Sequence, residues 1–333
     1  MSSLGSTLQI IQKNTLFSLS WIYVTFGVSG CILNIFLFSR KQFRTTSCCK
    51  YFLVSSIGML FNLLIYSIPT IYGYYYTNPL TYNIPFCKFR SYFNHITSVI
   101  FRLILSAASF DRFALSSSNV RLRNLANVKF AYRVIASIII LVLLVHIYML
   151  LVYNIKSNTC YNSLDPIGIT LVSIFALINN SFLPTILMII FTIFIRKNLV
   201  AKRERRQGGF IQQTRINQND EIQFKRDQQV LRMLFGQIIA FFIITSPYMV
   251  YSINNIISPY ILNKSSDHIA IENFITSISG GLSYVFPAVS FYLYTLTSSL
   301  FRNELYLMLQ TSFFCFCPIK NRRIEPTSTH PTN

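Results

Sequence analysis

Asp111-Arg112-Phe113 close a largely apolar stretch, Ser91 to Phe110, that begins just after Cys87. An acid–base pair is expensive in a bilayer unless its two charges hold each other away from lipid. An Asp-Arg couple at the inner mouth of a membrane helix is therefore suited to switching: closed while the arginine is held, open once it is released. A second charge, Arg102, lies fifteen residues after Cys87, about 22 Å down a helix. The sequence offers no nucleophile–base set, metal cluster or phosphate loop. The chemistry it carries is electrostatic switching, so catalysis, a cofactor and a metal ion are not expected.

Membrane helices must position these groups. The 333 residues are 52% hydrophobic and 12% charged, too apolar for an ordinary soluble domain. Seven windows, at about 16–38, 51–76, 91–113, 134–153, 167–195, 233–257 and 273–299, reach the roughly 20 residues a helix needs to cross a bilayer. The expectation is an all-α membrane protein with a seven-transmembrane helix bundle over 16–299. An N-terminal segment 1–15 precedes it. A short amphipathic eighth helix with a cysteine pair over 300–317 and a tail over 318–333 follow.

The net charge of +19 raises nucleic acid as a partner, and its distribution excludes it. Every Lys and Arg except Lys13, Lys88, Arg90, Arg102, Arg112 (at the inner end of span three), Lys156 and Lys264 falls after span one, three or five or in the C-terminal part. Nucleic acid wants one contiguous basic stripe, whereas this pattern follows the cytoplasmic bias of basic loops. The N-terminus is expected outside and the C-terminus inside the plasma membrane, with the basic loops against anionic lipids and an acidic partner. Residues 1–15 are polar, and span one is expected to act as an uncleaved signal anchor.

Cys87 and Cys160 are the only cysteines in segments expected outside, which predicts a disulfide between them. It would tie the top of span three to the loop between spans four and five. Cys31, Cys48 and Cys49 are expected as free thiols. Cys315 and Cys317 are either palmitoylation sites or unmodified tail cysteines.

The sequence resembles the rhodopsin-like (class A) family of G-protein-coupled receptors over roughly residues 16–317. The gap of 25 from Cys87 to Arg112 is the spacing this family shows between its external cysteine and inner arginine. Asn34 looks like the family's asparagine in span one, and Pro184 and Pro247 look like its kinking prolines in spans five and six. Ser290-Phe291-Tyr292-Leu293-Tyr294, followed by Phe301-Arg302, is similar to the Asn-Pro-x-x-Tyr and Phe-Arg pattern leading into the eighth helix. The likeness extends to invertebrate orphan and FMRFamide-type peptide receptors.

The resemblance implies that Arg112 is held at rest by Asp111 and released toward a heterotrimeric G protein when an extracellular ligand binds. Tyr294 belongs to the same coupling region. Asp227, twenty before Pro247, is either the second acid on Arg112 or a solvated charge among Lys225, Arg226 and Arg232. Arg102 would lie near Pro184 and Phe241, where ligand pocket meets cytoplasmic face. Asn179 and Asn180 are its expected hydrogen-bond partners. It either helps set the resting-to-active equilibrium or is a snorkelling side chain along an inner cavity.

Departures from the family pattern are Met59 for an aspartate, Thr245 for a tryptophan, Ser290-Phe291 for Asn-Pro and Thr192 for a tyrosine. Asn94 stands where amine receptors place a carboxylate, which disfavours an amine ligand, and span seven has no lysine for retinal. Asn94, His95, Tyr92 and Glu272 are the candidate ligand-pocket residues, whereas His146 is expected to pack at lipid depth. A rim of mixed charge rich in tyrosine suits a short peptide, although Tyr72, Tyr74, Tyr75 and Tyr76 also suit a place at headgroup level. The rival expectations are a seven-helix protein that binds without signalling, and a transporter.

Overall fold

A computed structural model describes residues 3–156, 158–208, 218–257, 260 and 265–314, and these are predominantly helical. In chain order the long helices are α1 (Leu4–Phe38), α2 (Ser47–Tyr75), α3 (Ile84–Ser116) and α4 (Val128–Val152). They continue with α5 (Pro166–Ala201), α6 (Gln218–Ile257), α7 (Ser266–Thr297) and the short α8 (Ser299–Phe314). Six of them (α1, α2, α4, α5, α6 and α7) are long and apolar enough to cross a membrane. The seventh, α3, has 33 residues but is less apolar. Its polar groups Arg102, Ser106, Ser109, Asp111 and Arg112 are all buried against its neighbours. Leu141, Leu144, Leu151, Ile243 and Val250 instead face outward, as lipid-facing side chains do.

Local signals set the helix starts. Asn83, Asn127, Asp165 and Ser265 each accept a hydrogen bond from a backbone N–H in the first turn of α3, α4, α5 and α7. Pro85 and Pro166 occupy early positions where a missing N–H does no harm. Asp165→Ala should lower stability by about 1 kcal/mol, read as a lower melting temperature of the detergent-solubilised protein. An unchanged melt would show that α5 does not depend on this cap.

Two features depart from the expected architecture. The first helix begins at Ser3 rather than near residue 16. No proline interrupts residues 4–15, and Leu, Gln and Lys favour a helix whatever their polarity. Gly5, Leu8, Gln9 and Gln12 face Ser266, Ile269, Ala270 and Asn273 of α7 across a crevice. A two-stranded antiparallel hairpin, β1 (Tyr153–Lys156) and β2 (Thr159–Asn162), is added between α4 and α5. Asn158 in its turn has φ 57°, a left-handed conformation that Asn tolerates better than most residues. The hairpin places Cys160 over α3, where it forms the disulfide with Cys87, their Cα atoms 5.8 Å apart.

Close helix approach requires two glycines. A Cβ at Gly27 would lie 2.8 Å from Leu63 and 3.0 Å from Ala288, and one at Gly30 would lie 2.9 Å from Phe291. Small residues let membrane helices approach at backbone distance, here α1 on α7. Away from the disulfide, Phe38, Phe43, Phe52, Tyr294 and Phe301 form a fully buried aromatic cluster joining α1, α2, α7 and α8.

Candidate functional site

At the end of the bundle opposite the disulfide, Asp111 and Arg112 are almost wholly buried. Arg112 Nη2 lies 2.6 Å and Nε 3.1 Å from Asp111 Oδ2. Ser47, at the start of α2, donates its hydroxyl to the same Oδ2 at 2.9 Å and accepts from Arg112 Nη2 at 3.3 Å. A buried ion pair is costly to break from one side, so this three-residue knot favours one position of the arginine. Asp227 lies on α6, but its side chain falls outside the described residues, as do Cys315 and Cys317.

Tyr294 sits in the aromatic cluster, 5.2 Å between ring centroids from both Phe38 and Phe52. Its hydroxyl has no hydrogen-bond partner among the described residues. Nearby, Ser290 is fully buried. Its hydroxyl accepts from Asn34 Nδ2 at 3.4 Å, and its carbonyl accepts from Gln237 Nε2 of α6 at 3.2 Å. Gln229 of α6 accepts from the Leu300 N–H at 2.6 Å. Two glutamines thus tie α6 to α7 and α8. Met59 is fully buried.

Midway along α3, Arg102 donates from Nη1 to the carbonyl and to Oδ1 of Asn180, both at 3.0 Å. The sequence explains why that carbonyl is available. Pro184 has no N–H, and the acceptor it leaves without its helical donor is residue 180; the helix widens into a π turn over Ile178–Phe182. The guanidinium also lies over the rings of Phe101 and Phe241, 5.2 and 5.7 Å from their centroids. Ser106 Oγ donates to the Pro184 carbonyl at 3.2 Å. The other expected partner, Asn179, does not reach Arg102. It donates to Phe175 of its own helix at 2.9 Å, because its neighbour faces inward. Pro247 lies inside α6, and the carbonyl it leaves, Ile243, accepts from Ser246 Oγ at 2.9 Å.

Toward the disulfide end a polar cavity of about 390 Å³ opens between α1, α2, α3, α5, α6 and α7. Arg102, Asn180 and His95 lie on its lining, as do Asn94, Tyr284 and Arg90. Tyr284 Oη donates to Asn94 Oδ1 at 3.0 Å and accepts from Nδ2 at 2.7 Å. The Tyr66 ring stacks on Tyr284 at 3.8 Å. His95 Nε2 is 3.3 Å from Asn180 Nδ2. Arg90 repeats the proline relation: its Nε donates at 3.4 Å to the carbonyl of Ile65, four residues before Pro69.

Of the expected pocket residues, Asn94 and His95 line this cavity and Tyr92 and Glu272 do not. Tyr92 turns toward α4, where its hydroxyl donates to the Leu143 carbonyl at 3.0 Å. Glu272 lies one turn above Thr276 on α7, 3.1 Å from His268. His146, expected to pack, is buried inside the bundle, its ring 5.0 Å from that of His95, just after α4 breaks at Val145. Ser47, Gln229 and Gln237 were not anticipated, since a buried hydroxyl or amide has no sequence signature. Counting four residues back from Pro69 finds the freed Ile65 carbonyl but not Arg90, which only packing brings to it.

The family model for the 7 transmembrane receptor (rhodopsin family) matches residues 28–294, from Val28 of α1 to Tyr294. Among curated proteins, none matches the chain. With that match spanning most of a bundle that holds a buried Asp-Arg pair at one end and a polar cavity at the other, the chain belongs to the rhodopsin family of seven-transmembrane receptors, proteins that bind and signal rather than catalyse.

Proposed function

We propose that this receptor lies in the plasma membrane with its disulfide end outside, binds a short peptide there and drives nucleotide exchange on a heterotrimeric G protein at the Arg112 end. One observation carries the proposal: the single helix α3 supplies Arg90, Asn94, His95 and Arg102 to the cavity and Asp111 and Arg112 to the buried knot. A ligand that favours one position of α3 and its partners shifts the population in which Arg112 is free. The orientation is supported by the basic residues flanking the Arg112 end. The peptide is supported by the tyrosines beside the mouth, where Tyr74 stacks on Phe17 at 3.9 Å under Lys13. The FMRFamide-type likeness belongs to the same peptide proposal. Palmitoylation of Cys315 and Cys317 would anchor the segment after α8.

The test is nucleotide exchange by a purified heterotrimer on membranes containing the full chain, unstimulated and with short peptides bearing C-terminal amides or acids. Exchange above control membranes is expected. Its absence under every condition, with correctly inserted protein, would leave a seven-helix protein that binds without signalling. The altered Met59, Thr245 and Ser290 positions would fit that outcome.

A further inference from the structure

The charge of the cavity is one-sided. Arg90 and Arg102 both line it, and none of the described residues lining it is Asp or Glu. Arg102 is 4% exposed. Asn180 occupies its Nη1, whereas Nε has no hydrogen-bond partner among the described residues. Arg90 is engaged through Nε by one backbone carbonyl. The neighbouring polar groups are neutral: the Asn94 amide, the Tyr284 hydroxyl and the Asn180 amide. The nearest acid along α7, Glu272, lies outside the lining and pairs with His268. Asp165 is engaged at the α5 cap and Asp111 on Arg112, and Asp267, in the first turn of α7, lies outside the lining.

Burying a guanidinium with only neutral partners is costly, and a bound anion relieves that cost while a bound cation adds to it. The two arginines stand twelve residues apart on α3, about 18 Å along the helix. One is near the mouth and the other at the floor. Guanidinium groups bind carboxylates by two parallel N–H···O bonds, and the cavity is within the size range of small-molecule sites, roughly 300–1,000 Å³.

We propose that the ligand enters carboxylate first, drawn past Arg90 at the mouth and seated against Arg102, Asn180 and His95 at the floor. This rests on the receptor function proposed above and narrows its ligand to an acid, in place of the amidated peptide ends that the FMRFamide-type likeness would suggest. A free peptide C-terminus and a small organic acid share that chemistry, and the experiment separates them.

Purified full-length protein is screened by thermal stabilisation, and membranes by nucleotide exchange, with three matched probe sets. These are short peptides ending in a free acid, the same peptides ending in an amide, and small aliphatic and aromatic monocarboxylic acids. Stabilisation is expected from acids, with the matched amide or ester weaker by about ten- to a hundredfold. Arg102→Gln and, separately, Arg90→Gln should weaken the responding acids while leaving the disulfide formed and the protein inserted. Response to peptide acids alone assigns a peptide terminus; response to small acids alone assigns a metabolite. Either supports the proposal.

Stabilisation confined to amides, or by no probe, overturns it, as does undiminished acid binding in Arg102→Gln or Arg90→Gln. If acids stabilise the protein but no exchange occurs, anion binding stands and the signalling function fails. If amides drive exchange and acids do not, the reverse holds.

Discussion

Replacing Arg112 by alanine is expected to abolish ligand-driven nucleotide exchange, whereas Asp111→Asn should raise the unstimulated rate. The opposite signs follow from the knot. Arg112 makes charge-assisted bonds to Asp111 and a further bond to Ser47, all of which favour its held position. Neutralising Asp111 keeps a hydrogen-bond acceptor of similar shape but removes the charge assistance. The held state then loses about 2 kcal/mol, about thirtyfold in the equilibrium constant. Alanine at 112 removes instead the group that the transducer is proposed to engage. Ser47→Ala should act like a weaker Asp111→Asn, since it removes one neutral donor to the carboxylate. The measurement is exchange by a purified heterotrimer at matched surface levels. Two variants that move the rate in the same direction would show that the pair supports the fold and does not switch.

Loss of the Cys87–Cys160 disulfide should have the largest effect on stability. The two cysteines are 73 residues apart, and chain-entropy reasoning assigns about 4 kcal/mol to closing a loop of that length. The α3 and α4 segments restrict the unfolded chain within a membrane, so about 2–4 kcal/mol is the better expectation. Cys87→Ser should lower surface level and melting temperature, and Cys160→Ser should match it. The double variant should be no worse than either single one, because the first substitution already removes the whole interaction. The hairpin carries the disulfide and rests on α3 above the cavity, so ligand affinity should fall with stability. Additive losses would mean that the two sulfurs act through separate contacts.

The bundle was legible because bilayer solvation leaves a coarse mark, and long runs such as 134–153 or 167–195 have few alternatives to a membrane helix. The Asp111-Arg112 pair and the cysteines were legible through residue type and spacing. The helical start at Ser3 was not, because a polar helix packed on α7 resembles a polar loop in composition. Nor was the meeting of His146 with His95: which way a side chain faces after Val145 depends on where α4 breaks, and hydropathy does not report that break. Tyr92 was misplaced because its side chain points toward α4, about 100° round α3 from a neighbouring position, and only packing orients the helix.

The sequence by itself determined the number of long apolar helices, the basic loops that bias their direction, and the charges they must enclose, since each depends on composition along the chain. The tertiary structure alone decided what those charges meet. It set Ser47 on Asp111, Asn180 on Arg102 and Ile65 on Arg90, and it gathered two guanidiniums around a cavity whose described lining holds no carboxylate. Hydrogen bonds act over a few ångströms between residues such as Asn34 and Ser290, 256 positions apart, so the rotation and depth at which the helices pack determine which partners meet.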